Sequence, residues 1–139
     1  MAANGSSSLQ RLGIAFLRVV VGVVFLAHGW QKLFVLGFKS VAAIMLQLGI
    51  PLPLPSAVVV TLVEFLGGLG LVLGLRARWA AFFISIDMLV AVLAVHLRGG
   101  LFLPKGFEYA LTLLAASVAL TLLGPGALAL DSLFSERKD

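Results

Sequence analysis

The chain has 139 residues, 61% of them apolar and only 12% charged. A soluble domain carries roughly 25% charged residues, and a chain this short exposes more surface than core, so a water-soluble globule and a disordered chain are both excluded. The net charge of +4 does not indicate nucleic acid, because the ten Lys and Arg residues are scattered over loops and helix ends, and the absence of cysteine excludes disulfides, thiol chemistry and thiolate-held metals or clusters.

Residues 1–11, rich in Ala, Ser, Asn and Gly at their start, read as a flexible N-terminus. The first apolar span follows, Leu12 to Phe34. It is too long for a cleaved signal peptide, holds Arg18 and His28, and has no small-residue cleavage site, so it is expected to be retained. Val35 to Gly49 is apolar apart from Lys39, Ser40 and Gln47 but too short to span, which predicts a short interfacial helix. Pro51, Pro53 and Pro55 break the chain before a second span, Pro55 to Leu75. Arg76 and Arg78 separate it from a third, Trp79 to Leu97, and Gly99, Gly100, Pro104 and Gly106 separate that from a fourth, Phe107 to Leu123. Gly124-Pro125-Gly126 cannot continue a helix. The tail, 127–139, sets Leu128, Leu130, Leu133 and Phe134 against Asp131, Ser132 and Glu136.

Runs of about 17 to 25 apolar residues have the length of a membrane-crossing helix, and helices satisfy their backbone groups without water. The expected fold is therefore an all-α integral membrane protein. Residues 12–126 form a four-transmembrane-helix bundle, with a short interfacial helix between the first two spans. An even number of spans puts both termini on one side. Arg11, Arg76, Arg78, Arg137 and Lys138 fall there, against Lys32, Lys39, Arg98 and Lys105 on the other. The positive-inside rule then predicts cytoplasmic termini and a multi-pass protein of the cell membrane.

Arg18, His28, Lys32, Glu64, Asp87, His96 and Glu108 all lie within or at the ends of these spans. Each costs roughly 2.5 to 3.5 kcal/mol at the bilayer centre unless it finds a partner or a polar cavity. At about 100° per residue, Arg18, His28 and Lys32 share one helix face. Glu64 and Asp87 sit near the middle of their spans, which suggests Arg18 paired with one of them. His28, Lys32, His96 and Glu108 form a second polar layer nearer the first loop. His28 and His96 with Glu108 are chemically able to hold a metal, but their spacing carries no metal-site signature, and no metal is expected. Gly67, Gly70 and Gly74 offer a close-packing face on the second span. Trp30 and Trp79 suit the membrane–water interface.

The run from Arg18 to Phe34, with Ala27-His28-Gly29-Trp30-Gln31-Lys32 near its end, resembles the first-helix motif of the DoxX family of small bacterial membrane proteins. Glu64-Phe65-Leu66-Gly67-Gly68 through Gly74, His96-Leu97-Arg98-Gly99-Gly100 with Gly106-Phe107-Glu108-Tyr109, and Leu123-Gly124-Pro125-Gly126 leading to Leu130-Asp131-Ser132-Leu133 extend the resemblance, in order, over nearly the whole chain from Leu12. The resemblance implies a four-helix bundle in which Arg18, His28, Lys32, Glu64, His96 and Glu108 match recurrent motif positions, whereas Asp87 matches none. It also implies a link to membrane redox systems. Members of the family take part in thiosulfate-to-quinone electron transfer in archaea and in complexes with superoxide dismutase and a sulfurtransferase in mycobacteria.

Two functional expectations follow. In the first, the protein is the membrane component of a redox or detoxification system that holds a quinone head group in its polar interior. His28 or His96 would then move protons, Lys32 or Arg18 stabilise an anion, and Glu64 or Glu108 relay to water. The chain carries no haem, flavin or cluster motif, so electrons would come from a soluble redox enzyme partner or a diffusible donor. The alternative is a small proton-coupled transport or ligand-binding protein, homo-oligomeric through the glycine face, or a scaffold whose buried charges only fix the bundle. Whether the chain catalyses a reaction by itself is left open by both.

Overall fold

The computed structural model describes residues 2–135, so the expectations for Glu136, Arg137 and Lys138 fall outside the described residues. Helix α1 (Ala2–Trp30) widens into a π-helical turn, Gln31–Leu36, before α2 (Gly37–Gln47). Helices α3 (Pro53–Leu73) and α4 (Ala77–Val90) follow. A second π-helical turn, Ala91–His96, and a short 3-10 turn, Leu97–Gly99, extend α4. Helix α5 (Glu108–Leu123) and a one-and-a-half-turn helix, α6 (Leu130–Ser135), complete the fold, with no strand among the described residues.

The punctuation is local chemistry. Prolines occupy the first turn of α3, where a missing N–H costs nothing. Gly74 ends that helix in the left-handed region at φ 67°, its N–H turned back to the carbonyls of Gly70 and Leu71. Gly37, at φ 76°, lets the chain turn away from the direction of α1. Helix α1 begins at Ala2, well before its apolar span. Once the apolar part of the helix has nucleated, adding residues at its end costs little.

Apolar side chains point outward as well as inward. Phe16, Leu66 and Leu122 are largely exposed, while Arg18, Thr61, Glu64, Ser85 and Ser117 are buried. Such a surface is costly in water and costs nothing against lipid tails. Among the described residues, three helical segments are long and apolar enough to cross a membrane: 7–47, 53–73 and 77–99. The fourth apolar helix, α5, has 16 residues. The main core joins Val21 and Phe25 of α1, Leu71 of α3, Ala81, Ile84 and Met88 of α4, and Leu120 of α5. Helix α2 packs on the start of α3 in a smaller core of Val41, Met45 and Ala57.

Helices α1 and α3 run antiparallel at unusually close approach. A Cβ on Gly22 would meet the backbone of Val72, one on Gly29 the backbone of Phe65, and one on Gly68 the backbone of Leu26. The close-packing glycines are thus Gly22, Gly29 and Gly68. Gly67 and Gly70, expected as a close-packing face of this span, pack against Ile84 and Ala80 of α4, and Gly74 is a helix cap.

This register also corrects the pairing of Arg18 with Glu64 or Asp87. With Gly29 beside Phe65 and Gly22 beside Val72, Arg18 lies at the level of the α3–α4 turn, about 18 Å along the axis from Glu64 at about 1.5 Å per residue. Its guanidinium donates to the carbonyls of Pro125 (2.7 Å) and Leu128 (2.9 Å). Around it, the N–H of Ala127 donates to the carbonyl of Arg11 and that of Asp131 to the carbonyl of Gly74, both at 3.0 Å. Asp131 in turn accepts from the N–H groups of Arg76 (2.6 Å) and Ala77 (3.0 Å), capping α4. The C-terminal segment is therefore anchored to the bundle by polar contacts that start from Arg18.

Substituting Gly29→Leu forces a side chain into the backbone of α3. Thermal unfolding in mild detergent is expected to show a loss of about 1–3 kcal/mol, the usual cost of overpacking, while Gly13→Leu, at a position with open space around it, leaves the midpoint unchanged.

Candidate functional site

The Gly29–Phe65 contact brings the next turn of α1 against the preceding residue of α3. Lys32 lies three residues after Gly29, in the π-helical turn, and its Nζ donates to Oε2 of Glu64 in a direct ion pair. The Glu64 side chain is 6% exposed and that of Lys32 21%, so the pair is screened from solvent on most sides. In such a setting the two charges hold each other in place, because separating them leaves an uncompensated buried ion.

The pair forms part of the lining of a cavity of about 680 Å³. His28 and Lys32 reach it from α1 and its π-helical turn, Glu64 from α3, Asp87 from α4, His96 from the extension of α4, and Tyr109 from α5. Asp87 stands within electrostatic reach of both Lys32 and Glu64, and its Oδ2 is buried with no hydrogen-bond partner. The remaining lining is apolar and includes Phe25, Met45, Val60 and Met88. On the α3–α4 side it includes Val59, Phe83, Ile86 and Val90, which are exposed on the outer surface as well. The cavity thus sets polar side chains beside apolar walls, several of whose residues also reach the outer surface.

Both π-helical turns lie at this end of the bundle, and each carries a polar residue of the cavity: Lys32 in one, His96 at the end of the other. A wide turn re-aims the side chains that follow it, and such turns recur where a helix must present a functional group.

The two polar layers expected from the sequence are therefore one cluster. The structure brings together His28, Lys32, Glu64, Asp87 and His96 around the cavity and leaves out two residues. Arg18 belongs to the opposite end. Glu108 begins α5 but turns its Oε1 to the backbone N–H of Leu103 (2.7 Å), fixing the loop before the helix. That loop is further closed by the N–H of Phe107 on the carbonyl of Gly100 and that of Glu108 on the carbonyl of Leu101, both at 2.9 Å. The next residue, Tyr109, lines the cavity instead. Tyr109 went unnoticed in the sequence because a tyrosine at a helix end is cheap near a membrane interface; its signal was its place within the Gly106-Phe107-Glu108-Tyr109 motif. Asp131 was likewise read only as a polar tail residue, since nothing local to it indicates the start of a helix 55 residues away. Among the described residues, no three His, Asp or Glu side chains are disposed to hold a metal ion.

Known proteins with similar sequences give the following picture. The DoxX family model matches residues 13–97. A Bacillus subtilis protein named "Putative oxidoreductase CatD" is 31% identical over 121 residues, covering 86% of this chain and 85% of that protein. Two Escherichia coli proteins are also similar. Inner membrane protein YqjF is 28% identical over 137 residues, covering 93% of this chain and 97% of its own, and inner membrane protein YphA is 29% identical over 120 residues, covering 82% and 84%. No solved structure matches the chain at a significant level.

Breaking the ion pair from one side leaves a carboxylate without its cation. Lys32→Met is expected to cost roughly 3 kcal/mol of stability in detergent, and Lys32→Met combined with Glu64→Met distinctly less than the sum of the two single changes. Additive losses across that double-mutant cycle would show that the pair holds nothing together.

Proposed function

The chain belongs to the DoxX family of membrane proteins, and on that premise we propose that it is the membrane component of a redox or detoxification system, binding the head group of a quinone or a similar amphipathic small molecule in the cavity. The observation that carries this reading is the pairing of polar lining residues, Lys32–Glu64 with Asp87, His28 and His96, with apolar walls whose α3 and α4 residues also reach the outer surface. A volume of about 680 Å³ lies within the range of small-molecule sites. It suits a ring with polar substituents together with the first part of an apolar tail. Lys32 is the cation for an oxygen that gains negative charge, and the two histidines are hydrogen-bonding partners for the remainder of the head.

The reading extends to placement in the membrane. Relatives named as inner membrane proteins support a multi-pass chain of the cell membrane. In this reading α5 is the fourth crossing. The Arg78 guanidinium at the start of α4 donates to the carbonyls of Thr121 (3.2 Å) and Leu122 (3.0 Å) at the end of α5, so the two helices are antiparallel and α5 runs back along α4. Helix α2 then lies at the interface beyond the cavity. With Lys32 engaged by Glu64, Arg11, Arg76 and Arg78 together with Arg137 and Lys138 of the tail outnumber Lys39, Arg98 and Lys105, which supports cytoplasmic termini. A soluble oxidoreductase supplies the electrons in this reading, consistent with the name of the Bacillus relative.

Native mass spectrometry with lipid extraction, on protein purified in mild detergent, tests the proposal. A stoichiometric quinone that disappears in Lys32→Ala or His96→Ala, with the bundle intact, is the expected result. A stable bundle free of any such molecule would overturn the reading in favour of proton-coupled carriage or a scaffold, which proton-flux assays in liposomes separate.

A further inference from the structure

Asp87 is the residue of the cavity that neither the family motif nor the ion pair accounts for. One ammonium, Lys32, stands beside two carboxylates, and it is engaged by Glu64. Asp87 therefore has no cation of its own, and its Oδ2 is shielded from solvent without a hydrogen-bond partner. Its carboxyl also stands within electrostatic reach of that of Glu64, and a proton on one of two neighbouring carboxylates relieves the repulsion between them. The other titratable groups around the cavity are His28 on α1, His96 on the extension of α4 and Tyr109 on α5. His28 is exposed and His96 half-buried.

We infer that Asp87 is the proton-exchanging group of the cavity, and that its protonation state selects which form of a ligand head group is held there. With a proton, Asp87 donates an O–H to a carbonyl oxygen. Without one, its carboxylate accepts from a hydroxyl. The exchange is one proton onto or off the Asp87 carboxyl, with no change in the Lys32–Glu64 pair and no electron moved. A site of this kind distinguishes the carbonyl and hydroxyl forms of the same ring, which differ there only in the direction of the hydrogen bond. The identity of the ligand rests on the quinone-type reading above; the proton on Asp87 does not.

Two measurements on the full-length protein in lipid nanodiscs decide the matter. The first is infrared difference spectroscopy between acid and alkaline buffer without any ligand. A carboxylic acid C=O band at the high frequency of a group shielded from water is expected in the unaltered protein. It should be absent in Asp87→Asn, present at a shifted position in Asp87→Glu, and unchanged in His28→Gln and His96→Gln. Persistence of the band in Asp87→Asn would place the proton elsewhere and overturn the inference. The second is the pH dependence of affinity for decylubiquinone and, under anaerobic conditions, decylubiquinol. For a single linked proton the limiting slope is about tenfold per pH unit, with the quinone bound more tightly as pH falls and the quinol as pH rises. Asp87→Asn, which keeps a donor and an acceptor, should bind both with flat profiles. Unaltered slopes in Asp87→Asn would overturn the selection of ligand form. Failure of both probes to bind the unaltered protein would overturn the ligand reading and the selection together, with the infrared result still deciding the proton.

Discussion

Lys32 meets Glu64 because Gly29 has no side chain. At that point α1 lies directly against the backbone of α3 at Phe65, and the register so fixed carries the lysine of the following turn onto the carboxylate beside Phe65. Close backbone approach through small residues is how helices gain packing energy in a solvent as apolar as their own side chains. Here it also sets the electrostatics, since a slip of one helix turn along the contact would leave a lysine and a glutamate buried and separate. The ion pair and the glycine contact therefore enforce the same arrangement by different physics.

The two ends of the bundle use their buried charges differently. At the end that holds Arg18, two guanidinium groups face neutral carbonyls and a carboxylate serves as a helix cap. Arg18 donates to the carbonyls of Pro125 and Leu128, Arg78 to those that close α5, and Asp131 accepts from the first N–H groups of α4. These contacts are short in reach, as suits an anchor. At the other end the helices carry π-helical turns, the acidic groups outnumber the cations in contact with them, and a cavity remains. A polar cluster left open to small molecules within an otherwise apolar bundle is the form expected of a binding site rather than of a staple.

Much of this was legible before any coordinates. The cost of ionisable groups in a membrane singled out seven residues, and five of them line one cavity. Helical periodicity placed His28 and Lys32 on a common face because both belong to one helix, where angle and height follow from residue number alone. The assignment of partners did not follow. Arg18 was matched with the acids because a bundle has few other ways to hide such groups, yet its height along α1 relative to α3 depends on which glycines touch, and those are Gly22, Gly29 and Gly68. Glu108 was grouped with the cavity by depth, and its carboxylate instead turned five residues back along the chain to an N–H of the preceding loop.

What the sequence by itself determined is the solvent, the helical form and the set of expensive residues. Each of these follows from composition or from periodicity within a single segment, summed over many residues and insensitive to any one contact. What only the tertiary structure decided is the division of that set into an anchor around Arg18 and a cavity around Lys32, Glu64 and Asp87. That division depends on the axial register between α1 and α3, fixed within a fraction of a helix turn by backbone contact at three glycines. A hydropathy pattern is nearly unchanged by such a shift, whereas an ion pair at hydrogen-bonding distance does not survive it.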